Sequence, residues 1–470
     1  RDLFTMFTIV GFVLIVGVAN VFGVAVDASK TTGAAPTPSP DLKFIHLSDM
    51  HLDIYSKPDI YSPAQFCRDP KDMPHETSVR RTWNFLQEDG IVPSHTPVFL
   101  MDKEIQEQEL NNQLLKNGAQ KFDKPYGWQL CDAFPAMVDG LMADAAKTLP
   151  NPDFLVLTGD WAAHLQLSLN GMLKSIEHGT KIIDKHFPKT NVIPVIGNND
   201  VFPDYNATVC GAGQYVALYM QWKKWIPSSE AKNFVQFGGF QQQLHGGRLR
   251  VFSLNTVLYH VRNKAFKDVA DPCGQMAWLR HELTVARTAG ARVFITGHIP
   301  PVAIPTSPSQ AGYYWWPFHQ HPFVDMLHEF SDIISNSFWG HAHHDMFWTD
   351  VRPNTTIGGL MAPSITPLPP YPSYRIGTMT SSAFEVIDYS QHYLNLATAN
   401  KAHKAVSTYE YNFAPTYGVS DLKTAKQLVQ ARANMLDNTT LSLKFNKYYL
   451  ASYPDDEFSR ICSTTSTITD

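Results

Sequence analysis

The chain has 470 residues, 44% of them hydrophobic and 17% charged, with a formal net charge of −5 at pH 7. That length exceeds what a single compact core usually needs, and the apolar content is that of an ordinary globular protein. The acidic balance argues against general nucleic-acid binding, which requires a basic footprint, so no nucleic-acid partner is expected. Histidine is abundant at 19; those not held by a metal would make the surface more positive in an acidic compartment.

In chain order, Phe7 to Val26 is almost wholly apolar, and Gly23 and Ala25 have the small-residue spacing of a signal-peptidase site. A cleaved signal peptide within 1–28 is the first expectation. An uncleaved signal anchor is the second, because about 20 apolar residues just span a bilayer. Asn20 and several glycines weaken a permanent span. Residues 29–41 read as a flexible leader.

Short apolar runs follow at Leu42–Leu47, Phe154–Thr158, Val192–Ile196, Leu249–Leu254, Arg292–Thr296 and Ile333–Trp339. Each ends in or near Gly, Ser, Asp, Asn or His, as strands buried in a sheet do when loops at their tips carry function. Ala133–Lys147 and Gly274–Ala289 have helical spacing. The alternation predicts an α/β layered catalytic domain over 42–399. Residues 54–128 read as an insertion with a solvated helix at Glu104–Gln120. Residues 304–322 are dense in Pro, Tyr, Trp and His. Leu422–Leu436 and Leu441–Tyr449 predict a helical C-terminal region over 400–470. There is no internal repeat, P-loop or Gly-x-Ser-x-Gly elbow.

Export agrees with sequons at Asn206, Asn354 and Asn438. The 5 cysteines, Cys67, Cys131, Cys210, Cys273 and Cys462, form no Cys-x-x-Cys pair, which disfavours a zinc–thiolate site. In an oxidising compartment some should pair. The odd count leaves at least one thiol free or bonded between molecules.

The tips of the apolar runs carry the chemistry. Asp49 and His51 stand two apart after the first, and Asp160 follows Thr-Gly after the second. Asn198 lies in Gly-Asn-Asn-Asp, His298 in Gly-His-Ile-Pro-Pro, and His341 and His343 in Gly-His-Ala-His. Alternating residues near a strand end can converge on one ion. A carboxylate such as Asp160 has two oxygens and can bridge two. A neutral amide such as Asn198 suits a cation already facing negative charge. Singly, each has a plainer reading as a polar turn, a helix cap or a structural histidine. Their recurrence at successive strand ends points to two adjacent cations, a device for cleaving phosphate esters.

These segments resemble the calcineurin-like metallophosphoesterases, in the branch of acid sphingomyelinase-like phosphodiesterases and endopolyphosphatases. Gly159-Asp160-Trp161-Ala162-Ala163-His164, the run from Asp271 to Leu283, Gly297 to Pro301, Ala362-Pro363-Ser364 and Tyr393 to Leu396 add to the likeness. It covers about 43–450, and a saposin-like domain is not expected within this sequence.

The resemblance implies a layered β-sandwich core flanked by helices. It implies a first ion held by Asp49, His51, Asp160 and His343, and a second held by Asp160, Asn198, His298 and His341. Zinc is the first choice, with iron or manganese as alternatives. A water activated between the ions would attack phosphorus in line, with His164 stabilising charge. Cys67 and Cys131 match positions that pair in this branch.

Many relatives have His where this chain has Asn199, and that His can assist the leaving group. An amide cannot donate a full proton, so Asn199 shifts expectation towards phosphoanhydride substrates, with His164 as the remaining acid. His344 and Asp345 would support the ligands from behind. The aromatic loop with Tyr313, Tyr314, Trp315, Trp316, His319 and His321 either packs or lines the cleft, where it could touch lipid.

The leading expectation is therefore an exported phosphodiesterase acting on a lipid headgroup or nucleotide, in a secreted or lysosome-like setting or anchored by its signal. An endopolyphosphatase is the alternative. A non-catalytic metal-binding surface protein is the alternative of another class. Oligomeric state is left open.

Overall fold

A computed structural model describes residues 40–56, 67, 124–166, 168–207, 209–307, 310–368 and 370–454. The expected targeting segment, the leader as far as residue 39, the Glu104–Gln120 helix and Cys462 lie outside the described residues.

The strands are β1 (Leu42–Leu47), β2 (Phe154–Leu157), β3 (Asn191–Pro194), β4 (Phe240–Leu244), β5 (Leu249–Leu254), β6 (Arg292–Gly297) and the hairpin β7 (Ala303–Ser307) and β8 (Gln310–Tyr313). They continue with β9 (Ile334–Trp339), β10 (Met346–Val351), β11 (Thr356–Met361), β12 (Ser373–Met379), β13 (Val386–Tyr393) and β14 (Thr408–Asn412). Two six-stranded sheets result, ordered β14-β13-β12-β1-β2-β3 and β10-β11-β9-β6-β5-β4. β1, β2 and β3 run parallel, as do β5, β6, β9 and β11. Parallel strands are covered on both faces, which is why Phe-Leu-Val-Leu of β2 and all of β5 are buried without alternation.

The sheets meet through their aromatic faces. Phe44 of β1 stacks on Phe154 of β2 with centroids 5.0 Å apart, and meets Phe338 of β9 edge-on at 5.3 Å. Phe294 of β6 closes the cluster, 6.0 Å from Phe154 and 5.3 Å from Phe338. Each buried ring contributes about 1.5–3 kcal/mol of transfer free energy. Gly377 on β12 leaves room for Phe44, whose Cζ lies 2.1 Å from where a Cβ would stand. The expected sandwich is thus the observed architecture.

Helices flank the sheets. Pro135–Thr148 starts on a proline, which has no N–H to leave unpaired there. Leu169–His186 is capped by Ser168, whose Oγ accepts from Gly171 N at 3.1 Å. Gln275–Thr288 and Pro317–Glu329 follow.

In the C-terminal region, Ala425–Asp437 and Thr439–Tyr449 are helices close to the expected ranges. Two details differ from the expectation. Helix Leu396–Ala402 crosses position 400, and β14 pairs antiparallel with β13 to extend the first sheet. Thr408–Asn412 is a polar edge strand whose first residues are exposed, so it carries no apolar run to read.

Two disulfides tie the described loops, Cys67–Cys131 as the resemblance implied and Cys210–Cys273, a pairing the sequence left open. No helix among the described residues is long and apolar enough to cross a membrane.

Glu410 of β14 accepts from Gln391 Nε2 at 2.7 Å and from the Ser452 hydroxyl. Burial raises its carboxyl from 4.5 to about 8, against the pull of those hydrogen bonds. The native state therefore keeps a proton that the unfolded chain releases. This contribution is complete below 4.5 and is lost as pH rises through about 8. Unfolding free energy should fall with pH across that window, and Glu410→Gln should flatten the slope. Urea unfolding of both proteins across the window measures it; equal slopes would refute the assignment.

Candidate metal centre

The site is built where parallel strands of both sheets end. Asp49 and His51 follow β1, Asp160 follows β2, Asn198 follows β3, His298 follows β6, and His341 and His343 follow β9. Ligand sites in α/β sheets form beyond the carboxyl ends of strands. Backbone bonds lock the loops together: Asp49 N donates to Gly159 O, His51 N to Asp160 O and Gly340 N to His298 O, all within 3.1 Å.

Two glycines allow the close approach. A Cβ on Gly197 would lie 2.1 Å from Asp160 Oδ1, and one on Gly340 would lie 2.2 Å from Ser48 Oγ. The backbone is strained at the same place. Asp49, His51, Asp160, His341 and His343 have φ of 48°, 40°, 53°, 72° and 63°. Left-handed backbone at non-glycine residues costs on the order of 1–3 kcal/mol each and gathers at functional sites.

The side chains converge. His51 Nε2 lies 3.0 Å from His343 Nε2, 3.4 Å from Asp160 Oδ2 and 3.9 Å from Asp49 Oδ1. His298 Nε2 lies 3.2 Å from Asp160 Oδ2, 2.9 Å from Asn198 Oδ1 and 3.3 Å from His341 Nδ1. Asp160 stands between the two clusters. Asp49, His51, Asp160, Asn198, His298, His341 and His343 are all buried. Within each of the groups His51–His164–His343, Asp160–His298–His341 and Asp49–His51–Asp160, ligand atoms lie within 4.8 Å of one another.

Tautomers decide whether this arrangement suits a cation. Nδ1 of His51, His298 and His343 faces the carbonyls of Ala162 (3.2 Å), Thr158 (2.7 Å) and Leu368 (2.7 Å). Each Nδ1 must carry the proton to donate there, which leaves lone pairs on the Nε2 atoms. His51 and His343 then present acceptor to acceptor, and His298 Nε2 faces the oxygens of Asn198 and Asp160. Only positive charge between them satisfies such a cage. Burial pushes His298 down, but the Asp160 carboxylate outweighs it and raises this ring to about 9: among protein charges alone, a proton takes the cation's place. Burial pushes His51 and His341 well down, so both stay neutral donors of a lone pair. Buried His341 Nε2 has no hydrogen-bond partner. The residues present therefore fit a pair of metal ions.

Asn199, expected as a departure near the leaving group, turns onto the bridging carboxylate. Its N and Nδ2 donate to Asp160 Oδ1 and Oδ2, both at 2.8 Å. His164 stacks on His51 with centroids 3.8 Å apart.

Two residues escaped the sequence reading. Asp132 Oδ1 lies 2.7 Å from His164 Nδ1, and its Oδ2 accepts from His164 N at 2.9 Å. Asp200 accepts from Trp161 N, Ala162 N and Gly197 N at 2.8–3.0 Å, buckling the Asp160 and Asn198 loops together. The only sequence signal for Asp132 is its place beside Cys131, one half of a disulfide.

The aromatic loop divides. Trp315 is fully buried, and His319 Nε2 donates to Val269 O at 2.6 Å. Tyr314 instead meets His341 edge-on at 4.7 Å. His344 stacks on Tyr449 at 4.2 Å, and Asp345 pairs with Arg375. Segment 364–366, in the Ala362-Pro363-Ser364 motif, braces the site: Ser364 N donates to His343 O and Thr366 N to Asp49 O, at 2.9 and 3.0 Å.

Comparison with known families agrees with this geometry. Residues 42–345 match the family described as Calcineurin-like phosphoesterase, and residues 362–469 match Acid sphingomyelin phosphodiesterase C-terminal region. The chain is 28% identical to Sphingomyelinase phosphodiesterase D of Dictyostelium discoideum over 89% of its own length and 91% of that protein. It is 27% identical to human Cyclic GMP-AMP phosphodiesterase SMPDL3A, over 70% of this chain and 75% of that one. It is also 27% identical to human Acid sphingomyelinase-like phosphodiesterase 3b, over 72% and 78%. A family match over most of the chain, ending on a His/Asp cage of the kind that family uses for a binuclear metal centre, makes this a metal-dependent phosphoesterase. The chain belongs to the calcineurin-like phosphoesterase family, in its acid sphingomyelinase-like branch.

Proposed function

We propose that this protein is an exported phosphodiesterase that uses two divalent cations, zinc first, to hydrolyse a phosphodiester of a lipid headgroup or a nucleotide. The observation that carries this reading is Asp160 standing between two histidine clusters, 3.4 Å from His51 Nε2 and 3.2 Å from His298 Nε2. Asp49, His51, Asp160 and His343 would hold one ion, and Asp160, Asn198, His298 and His341 the other. Histidine-rich N/O donors suit zinc, with iron or manganese compatible. When bound, such a pair supplies an activated water and neutralises the phosphoryl oxygens.

The chain's own residues do the rest. Asn199 fixes both oxygens of Asp160. Asp132 orients the His164 ring through Nδ1, so proton delivery to a departing oxygen falls to Nε2. Asp132 is thus a positioning residue.

The substrate class draws on relatives named as sphingomyelinase and cyclic GMP-AMP phosphodiesterases. One observation favours the second reading, endopolyphosphatase. Asn199 is spent on Asp160, so the fourth motif offers no acid, and a phosphate leaving group needs one less than an alkoxide does. Export is supported by the disulfides and by Asn206, Asn354 and Asn438, all exposed for glycosylation.

The test is turnover of bis(p-nitrophenyl) phosphate, sphingomyelin and polyphosphate by purified protein, before chelation, after it and after zinc reloading, at acidic and neutral pH. Chelation should remove activity and zinc restore it, with diesters preferred. Turnover that survives complete chelation would overturn the metal assignment. A strong preference for polyphosphate would select the second reading.

A further inference from the structure

The two carboxylate oxygens of Asp49 face different partners. Oδ1 faces the ligand cluster, 3.6 Å from His343 Nε2 and 3.9 Å from His51 Nε2. Oδ2 is turned onto the Ser48 hydroxyl, which donates to it. The His341 N–H lies 3.1 Å from both oxygens and so prefers neither. Ser48 therefore tells the two oxygens apart.

Ser48 is held in turn. An ionised carboxylate only accepts, so the Ser48 hydrogen is committed to Oδ2 and the Ser48 oxygen is left to accept. Thr158 Oγ1 donates to it at 2.7 Å. The Leu47 carbonyl lies farther from Thr158 Oγ1, at 3.1 Å, and is already served by Thr158 N at 2.9 Å. His46 Nε2 stands behind, 3.3 Å from Thr158 Oγ1. His46, Ser48 and Thr158 are all buried. Gly340 closes over the row: a Cβ there would lie 2.2 Å from Ser48 Oγ and 2.8 Å from Asp49 Oδ2. Thr158 also serves the other cluster, because its carbonyl accepts from His298 Nδ1 at 2.7 Å. One residue just past β2 thus braces a ligand in each set, two positions before the Asp160 that joins them.

Partners that orient a metal ligand from behind are worth about ten- to a hundredfold in metal affinity. We infer that Ser48 and Thr158 are positioning residues for the metal centre: two hydroxyls in series that hold Asp49 Oδ2 away from the cluster and present Oδ1 to it. The inference rests on the two-cation reading above and deepens it.

Zinc binding reads this without turnover. Full-length protein is stripped by chelation, and zinc uptake is followed by competition with a chromophoric chelator. Wild type should take up two ions. In Ser48→Ala one of the two affinities should fall about ten- to a hundredfold, with the other nearly unchanged. The deleted hydroxyl leaves less space than a water needs, so nothing replaces the donor. Thr158→Val keeps the shape and loses the hydroxyl; it should weaken the same ion about threefold or more, the scale of one neutral hydrogen bond. Thr158→Ser keeps the hydroxyl and loses a methyl, and should stay near wild type. A packing role would reverse the order of those two variants and overturn the inference. Added to Ser48→Ala, Thr158→Val should cost nothing further, because the two hydroxyls act in series. Full additivity would overturn the inference, as would wild-type affinity for both ions in Ser48→Ala. Should Ser48→Ala fail to fold, the two Thr158 variants decide alone. The wild-type protein separates the two levels: uptake of two ions with any of these contrary results removes only the hydroxyl pair, whereas uptake of neither zinc nor manganese removes the two-cation reading as well.

Discussion

Asp160→Asn is expected to lower kcat by about a thousandfold or more at saturating zinc, the scale of losing several kcal/mol of stabilisation at a two-metal site. Asp160 joins the two histidine clusters, and its Oδ2 faces His51 on one side and His298 on the other. Asparagine has nearly the same shape but offers one acceptor oxygen and no charge. It can still receive Asn199 N, as Oδ1 does now at 2.8 Å. Its amide nitrogen, however, would confront Asn199 Nδ2 where a carboxylate oxygen now accepts at 2.8 Å. The loss should therefore fall on metal retention and turnover, with the circular dichroism spectrum unchanged. Measuring kcat and bound zinc in the same preparation checks both. A variant that keeps its ions and its wild-type rate would remove Asp160 from the mechanism, and with it the pairing of the two clusters.

The site was legible because parallel strands in a covered sheet read as unbroken apolar runs. β1 and β5 have the expected bounds, and the polar residue just past such a run, as at Asp49 or His298, has nowhere to go but the sheet edge. The strands from β10 to β14 were not legible. They pair antiparallel apart from the β9–β11 contact, and some are only partly buried, as Met346–Val351 is, so no unbroken apolar run marks them. Asp132 was invisible for a different reason. Its meaning depends on the fold bringing it to His164, 32 positions away, through a contact that no motif encodes. Asn199 was legible as a residue type and not as a contact. The sequence placed it beside the leaving group; its amide in fact grips Asp160, because the absence of a side chain at Gly197 lets the two loops come into contact.

Arg375→Met is expected to destabilise the protein by about 3–5 kcal/mol, the cost of leaving a buried charge unpaired. Arg375 on β12 is 1% exposed and pairs with Asp345, itself 3% exposed, two positions after His343. Its Nε donates to Gln391 Oε1 at 3.1 Å, and its guanidinium lies 4.2 Å over the Tyr389 ring. Asp345 also accepts from the hydroxyls of Tyr389 and Tyr411, and its backbone N donates to Tyr449 O at 3.1 Å. The ion pair thus connects the His343 loop, the first sheet and the C-terminal helix, with His344 on the Tyr449 ring adding to the same contact. Methionine would fill the volume and leave the Asp345 carboxylate without its cation. Replacing both partners, Arg375→Met with Asp345→Leu, should recover much of the loss, since no uncompensated charge remains. Urea unfolding at fixed zinc concentration measures the difference, because bound metal itself stabilises the native state. A single variant within about 1 kcal/mol of wild type, the range of an exposed pair, would mean that this junction carries no strain when its cation is lost. Turnover supplies the second readout. The double variant should regain stability sooner than rate, because an apolar pair fills the junction without the directional bonds that hold the loop bearing His341 and His343.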